Sequence, residues 1–168
     1  MGMELRKKTL FLLGFRAFRM ADGKTLRLGT SVWAEGIYQH PERQGVTPGV
    51  DYIMQHGIYG LGVCLHGIGL WIPFVNNDGQ FHPLVTKSNA QKLTFGGNEM
   101  LKKSDILIAL AEGQLSLTMG EKYTRVVVNC LTCMDETNED FGDAREFEDS
   151  DGILVGVKYI EKVLILFY

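Results

Sequence analysis

The chain has few of the residues on which recognisable chemistry depends, beginning with cysteine. Its 168 residues include three cysteines, an odd number and too few for a secreted disulfide framework, which favours a reducing compartment. It contains no phosphate-binding loop, dinucleotide fingerprint, nucleophile elbow or His-Glu-x-x-His motif. These absences exclude the kinds of nucleotide binding, serine hydrolysis and zinc proteolysis that depend on those motifs. We therefore predict a non-enzymatic protein with no catalytic, cofactor-binding or metal-binding residues.

An excess of positive charge is also lacking. The 17 basic and 20 acidic residues give a formal net charge of −3. Because the basic residues come with no nucleic-acid reading motif, we expect no direct binding to nucleic acid. A chain of this length can bury a core without disulfides or metals, and we predict one domain over residues 1–168.

The most informative stretch that is present runs from Gly57 to Val75. Its nineteen residues include no Asp, Glu, Lys or Arg, and five of them are glycine. The protein's own core, a partner subunit or a membrane must cover it. Each glycine disfavours a helix by roughly 0.8–1.0 kcal/mol relative to alanine, and His66 and Pro73 interrupt the run, so we predict no membrane span.

The start of the chain resembles a secretory signal, with Arg6-Lys7-Lys8 before the apolar run Thr9–Phe15. Arg16 and Arg19 interrupt the run, and no small-residue cleavage site follows. We expect no signal peptide and a location in the cytoplasm or in a virion.

Three short turns containing Asp-Gly or Glu-Gly separate apolar or alternating runs, which is the pattern of β-hairpins. The first turn lies between the runs Leu10–Arg19 and Thr25–Val32. The second lies between Ile68–Val75 and Gln80–Thr86, and the third lies between Asp105–Ala111 and Gln114–Met119. The sequence therefore predicts an all-β or mainly β fold, an antiparallel two-sheet sandwich or partly closed barrel with at most one or two short helices. We expect a long loop at about 35–50 and an acidic loop at about 135–151.

The last run, Ile153–Tyr168, is rich in β-branched and aromatic residues and alternates in part. A strand would place one set of apolar residues on the same side: Ile153, Val155, Val157, Tyr159, Val163, Ile165 and Phe167. The final six residues are apolar on both faces of such a strand. We expect this end to be buried centrally or against another chain.

Charge is segregated along the chain. Residues 135–151 contain nine acids and one base, Arg145, whereas residues 1–27 contain seven bases and two acids. The acidic segment is a solvated loop, or it complements the basic region within one molecule or between copies. It lacks the EF-hand order of Ca²⁺ ligands. A further alternative is an acidic inhibitor that mimics nucleic acid and blocks a nucleic-acid-binding partner.

Scattered His, Asp and Cys residues leave an enzyme open as an alternative. A metal- or thiol-dependent site would have to be assembled by folding from His66, His82, Asp78 or the Cys130/Cys133 pair. We interpret His40-Pro41 and His82-Pro83 as loop or strand-start residues, and the two cysteines as buried and inert.

The features together favour protein association as the function. The apolar C-terminal run, the segregated charge and the lack of a catalytic set predict a homo-oligomer or a module with a protein partner. The most specific form of this prediction is a self-assembling subunit of a ring, tube or shell, of the virion or injection-apparatus type. A ligand- or glycan-binding β-sandwich is another alternative, with a set of aromatic residues as stacking surfaces: Trp33, Tyr38, Tyr52, Tyr59 and Trp71.

Overall fold

The computed structural model describes residues 36–44, 47, 49–76, 78, 80, 82–83, 103–151 and 155–166, and 62% of the structure is helical. The helices are α1 (Met54–Leu70), α2 (Lys103–Leu110), α3 (Ser116–Met119), α4 (Glu121–Leu131) and α5 (Gly156–Leu166). A π-helical turn (Ala111–Leu115) joins α2 to α3, and 3-10 helices cover Pro41–Arg43 and Ala144–Phe147. These ranges contain no strand, so the predicted all-β sandwich or barrel is wrong.

Helices α1 and α4 run antiparallel to each other. Near the start of α1, the Cys133 thiol donates a hydrogen bond to the Gln55 carbonyl over 3.2 Å. Farther along α1, the Tyr123 hydroxyl donates to the Leu65 carbonyl over 2.8 Å. Residue numbers therefore rise along α1 as they fall along α4.

Two glycines of α1 allow close packing against neighbouring helices. A Cβ atom at Gly62 would lie 2.7 Å from the Cβ of Cys130, and one at Gly69 would lie 2.5 Å from the Cδ1 of Leu115. Carbon atoms in contact prefer separations of about 3.5–4.0 Å, so neither position accepts a side chain without displacement of its neighbour. This face of the neutral stretch is covered by the protein's own core.

The neutral stretch is divided between α1, which ends at Leu70, and an irregular segment that follows it. Of the helices in the described ranges, none is long and apolar enough to cross a bilayer. This finding agrees with the predicted lack of a membrane span.

The third predicted hairpin turn, Glu112-Gly113, lies instead in the π-helical turn of a helical stretch that reaches Met119. The helix ends at Gly120, whose φ of 82° interrupts the helical backbone before α4. The second predicted turn does reverse the chain: the Asn76 N–H donates to the Gln80 carbonyl over 2.8 Å. Its predicted first arm, Ile68–Val75, is not a strand: it begins with the last three residues of α1 and continues as an irregular segment. The first predicted hairpin lies outside the described residues.

The β-branched runs near the C-terminus are helical because their buried residues repeat at helical spacing. In α4 the buried set is Thr124, Val126, Val127, Cys130 and Leu131. In α5, Tyr159 and Val163 are buried four residues apart, whereas Val157 and Ile165 are exposed. The predicted common side of a C-terminal strand is therefore wrong, since residues two apart on a helix point in nearly opposite directions.

Both predicted loops are anchored to the core. In the first, Ile37 and Arg43 are buried, and the Arg43 guanidinium donates a hydrogen bond to the Val50 carbonyl. In the acidic segment, the buried Phe147 ring stacks on Tyr159 with ring centroids 3.8 Å apart. Side chains from both segments join one hydrophobic cluster with α1, α2, α4 and α5.

The close packing of α1 against α4 predicts that Gly62→Ala destabilises the protein by about 1–3 kcal/mol, the usual effect of overpacking a core. Gly113→Ala is the matched control, because a Cβ there meets no atom within 4 Å and alanine favours a helix. Urea unfolding monitored by circular dichroism measures both. Equal midpoints for the two variants would contradict the packing argument.

Candidate functional site

The first part of the candidate site lies in the segment before α1. His40 is the N-cap of the 3-10 helix Pro41–Arg43, and its Nδ1 accepts a hydrogen bond from the Glu42 backbone N–H over 3.3 Å. Proline suits the next position because it has no N–H that needs a partner. The interpretation of His40-Pro41 as a loop or strand start is corrected to a helix cap.

The second part is His56, the third residue of α1. Its Nδ1 accepts a hydrogen bond from the Ile53 backbone N–H over 3.0 Å, the role that Glu or Gln plays in a capping box. Because Nδ1 accepts this bond, the neutral ring carries its proton on Nε2. Nε2 is buried and has no hydrogen-bond partner among the residues that the structure describes.

Glu42 joins the two imidazoles in a group that we call the histidine cluster: His40, Glu42 and His56. One potential ligand atom from each residue lies within 4.8 Å of the other two. The Glu42 Oε2 atom is 3.8 Å from His56 Nε2, and the Glu42 side chain is half-exposed. The cluster borders a cavity of about 350 Å³ whose lining includes both histidines, Tyr38 and Tyr52.

The environment keeps both imidazoles of the cluster neutral at pH 7. Burial lowers the pKa of His40 and of His56 below the ordinary value of 6.5. His40 and the nearby Arg43 guanidinium lower the pKa of His56 further, against an opposing effect of Glu42. Two neutral imidazoles and a carboxylate are groups that accept a proton or bind a metal ion.

A second feature is an apolar cleft of about 550 Å³ beside the end of α1. We call it the Trp71 cleft; it is lined by Tyr38, Val63, Cys64, Gly67, Ile68, Trp71, Ile72 and Pro73. Trp71 ends α1 in the left-handed conformation, with φ 55° and ψ 30°, and 88% of its surface is exposed. Its N–H donates to the Ile68 carbonyl over 3.1 Å, which terminates the helix.

A third feature is the exposed apolar side of α5, which we call the α5 outer face. It consists of Val157, Ile160, Leu164 and Ile165, each more than half exposed. The expectation that the C-terminal run is buried centrally is thus met by only one side of this helix. The final residues, 167–168, lie outside the described ranges.

The acidic segment lies beside α5 and is more ordered than a solvated loop. The Asn138 carboxamide oxygen accepts hydrogen bonds from the backbone N–H groups of Asp140 (3.0 Å) and Phe141 (2.9 Å). Lys162 of α5 lies 3.6 Å from Asp140 and 3.5 Å from Glu146. The predicted partner region, residues 1–27, lies outside the described residues.

The histidine and aspartate proposed for a dispersed enzyme site do not form a metal cluster with His82. His66 is fully buried against Phe74, with ring centroids 5.0 Å apart. Asp78 accepts a hydrogen bond from the Gln80 N–H over 3.0 Å in the reverse turn, and the His82 N–H donates to the Phe74 carbonyl. Within the described ranges, the histidine cluster is the one group of three potential metal ligands.

Cys130 and Cys133 are both buried and are not joined in a disulfide. Burial raises the pKa of each thiol to about 12. The thiolate needed for redox chemistry or metal binding is therefore disfavoured at both positions.

The aromatic residues suggested as stacking surfaces differ in exposure, and Tyr38 lines both the cavity of the histidine cluster and the Trp71 cleft. Tyr38 and Tyr52 line the cavity of the histidine cluster, and Tyr59 is buried with its ring edge against His40, at a centroid distance of 5.1 Å. Trp71 is on the surface, and Trp33 lies outside the described residues.

Sequence reasoning missed the histidine cluster. The short spacing of His40 and Glu42 was the one local signal for it, because ligands two residues apart can face the same point at a helix start. His56 is distant in sequence and joins them only because α1 begins beside the 3-10 helix.

Comparison with protein-family models, with curated proteins and with solved structures finds no match for this chain. Its function is therefore inferred from its own residues and their geometry.

The burial of His66 predicts a loss of stability in acid. Burial lowers its pKa to about 4, and both ring nitrogens lack hydrogen-bond partners in the described part of the chain. The unfolded chain takes up this proton near pH 6.5, so stability is full above pH 6.5 and falls as the pH drops towards 4. His66→Leu should unfold near the wild-type midpoint at pH 7 and be more stable by about 2 kcal/mol at pH 5. Urea unfolding at the two pH values measures this, and an equal effect of the substitution at both would contradict it.

Proposed function

We propose that the protein works by association with other copies of itself through the Trp71 cleft. The observation that carries the proposal is the exposed Trp71 side chain on a left-handed backbone. Glycine is the usual residue in this conformation at a helix end, and other residues strain the backbone by about 1–2 kcal/mol. A large, exposed and strained aromatic residue contributes little to the stability of one chain, which favours a role in binding.

The surroundings of Trp71 support the same proposal. Ile68 is 59% exposed one turn before it, and Pro73 follows on the other side of the cleft. Contiguous apolar surface with an aromatic residue at its edge is typical of a protein–protein contact. The exposed side of the neutral stretch is the part that a partner would cover.

The α5 outer face supplies a second apolar surface that is different from the first. Two unlike surfaces on one chain favour head-to-tail contact, in which the Trp71 cleft of one copy receives the α5 outer face of the next. Such contacts close into a ring or extend into a tube, depending on the rotation between copies. The acidic segment beside α5 and the basic residues in 1–27 would add charge complementarity between copies.

The viral setting expected from the sequence is not part of this proposal. The described residues have no feature that favours a virion or an injection apparatus over other assemblies, and the predicted β-sandwich is not found in them.

The test is the native mass as a function of protein concentration, measured by light scattering and sedimentation. We expect the wild-type protein to assemble, and Trp71→Gly to weaken assembly by about 30-fold or more, the effect of losing an interface hot spot. The same substitution should stabilise the single chain by about 1 kcal/mol, because glycine relieves the backbone strain. Higher stability with weaker assembly separates a binding role from a structural one.

Leu117→Gln is the matched control, since Leu117 is 85% exposed and does not line the cleft. It should leave the mass unchanged. A monomeric wild-type protein at millimolar concentration in low and high salt would refute self-association, as would a Trp71→Gly variant that assembles like the wild type.

A further inference from the structure

We propose that His40, Glu42 and His56 bind one divalent transition-metal ion of the Zn²⁺ type. This inference goes beyond association and does not depend on it. Imidazole nitrogen and carboxylate oxygen are the protein ligands that Zn²⁺ and its neighbours in the first transition row accept. Three such ligands leave one position of a tetrahedral ion for water, the arrangement of zinc sites that keep an open position.

The separations between the ligand atoms are close to those of a bound ion. Bonds of about 2.0–2.1 Å in a tetrahedral site place two ligand atoms about 3.4 Å apart. The distance from Glu42 Oε2 to His56 Nε2 is 3.8 Å, and the widest separation in the cluster is within 4.8 Å. Glu42 is half-exposed, so its side chain can shorten the 3.8 Å separation from His56 while α1 holds His56 in place.

The buried Nε2 atom of His56 is a second observation that supports a metal site. Most buried polar atoms in proteins have a hydrogen-bond partner, and this one has none in the described ranges. It lies beside a carboxylate and a second imidazole. A metal ion would bind this nitrogen once the ring proton has moved to Nδ1.

Two interactions oppose the ion and give its binding a distinctive signature. Coordination through His56 Nε2 moves the ring proton to Nδ1, which then can no longer accept the hydrogen bond from the Ile53 N–H. The Arg43 guanidinium also lies close enough to lower the pKa of His56, and it repels a cation. The Nδ1–H would then face the Ile53 N–H as a second donor, so the two groups must move apart. We therefore expect binding that changes the environment of the Ile53 amide.

The adjoining cavity shows what could reach the open position. Tyr38 and Tyr52 line it together with both histidines, and its volume of about 350 Å³ holds a small molecule as well as water. A ligand that replaces the water would therefore contact aromatic rings on one side and the ion on the other.

The test is titration of the full-length protein with Zn²⁺ and with Co²⁺ alone, followed by calorimetry and visible absorption. We expect one ion per chain, with Co²⁺ d–d bands and no thiolate-to-cobalt charge transfer. His56→Gln and His40→Asn remove an imidazole but retain a side chain suited to each cap, and Glu42→Gln removes the carboxylate. Each should weaken binding by at least about tenfold, because even the outer partners of metal ligands contribute that much.

His82→Gln removes a histidine outside the cluster and should bind like the wild type. In ¹⁵N spectra, Zn²⁺ should shift the Ile53 amide in the wild type and not in His56→Gln.

Several results would overturn the proposal. One is a wild-type protein that binds neither Zn²⁺ nor Co²⁺ at millimolar concentration, and another is a set of cluster variants that bind the ion as tightly as the wild type. A third is a cobalt spectrum with thiolate charge transfer, which would assign the ion to a cysteine such as the exposed Cys64.

Discussion

The close contact of α1 with α4 at Gly62 is the constraint from which the other features follow. Without a side chain at this position, the two helices approach until Cys130 touches the α1 backbone. The contact fixes the direction of α1 and the face that it buries. It thereby places His56 at one end of the helix and Trp71 at the other, roughly 22 Å apart at 1.5 Å per residue. The histidine cluster and Trp71 lie apart for this reason, and Tyr38 lines the cavities beside both.

The buried side of α1 is unusually polar for a helix at the centre of a core. Gln55, His56, Tyr59 and His66 are all buried on it, and atoms of each lack a hydrogen-bond partner in the part of the chain that the structure describes. Unpaired polar groups in a core oppose folding, and they favour the uncharged state of the histidines. At His66 the imidazole is enclosed on all sides, so its chemistry is confined to its effect on stability. At His56 the same unpaired state lies next to a carboxylate and a cavity, where a ligand can satisfy it.

Helical and strand spacing were confused in the segments where β-branched residues are frequent. Val126, Val127 and Val128 favour a strand by composition, but burial of Val127 with Thr124 and Leu131 follows the helical repeat. In α5, Tyr159, Val163 and the partly buried Leu166 satisfy the helical repeat, and Val157 and Ile165 satisfy only the strand repeat. Glycine was misleading in α1 because it disfavours a helix by itself, whereas Gly62 and Gly69 allow close helix packing. The chain reversal that brings Asn76 to Gln80 was predicted correctly, because a reverse turn depends on a few adjacent residues.

The sequence by itself determined the local and additive properties: the neutral charge of Gly57–Val75, the nine acids of residues 135–151, and the reverse turn at Asp78. These depend on composition or on neighbours within a few positions. Tertiary structure alone decided which apolar residues are exposed, including Trp71 on its left-handed backbone. It also decided that the His56 side chain lies close to those of His40 and Glu42. Such properties depend on the packing of α1 against α4 and on the segment before it. Contacts between residues distant in sequence leave no local pattern, since their spacing along the chain is set by the fold as a whole.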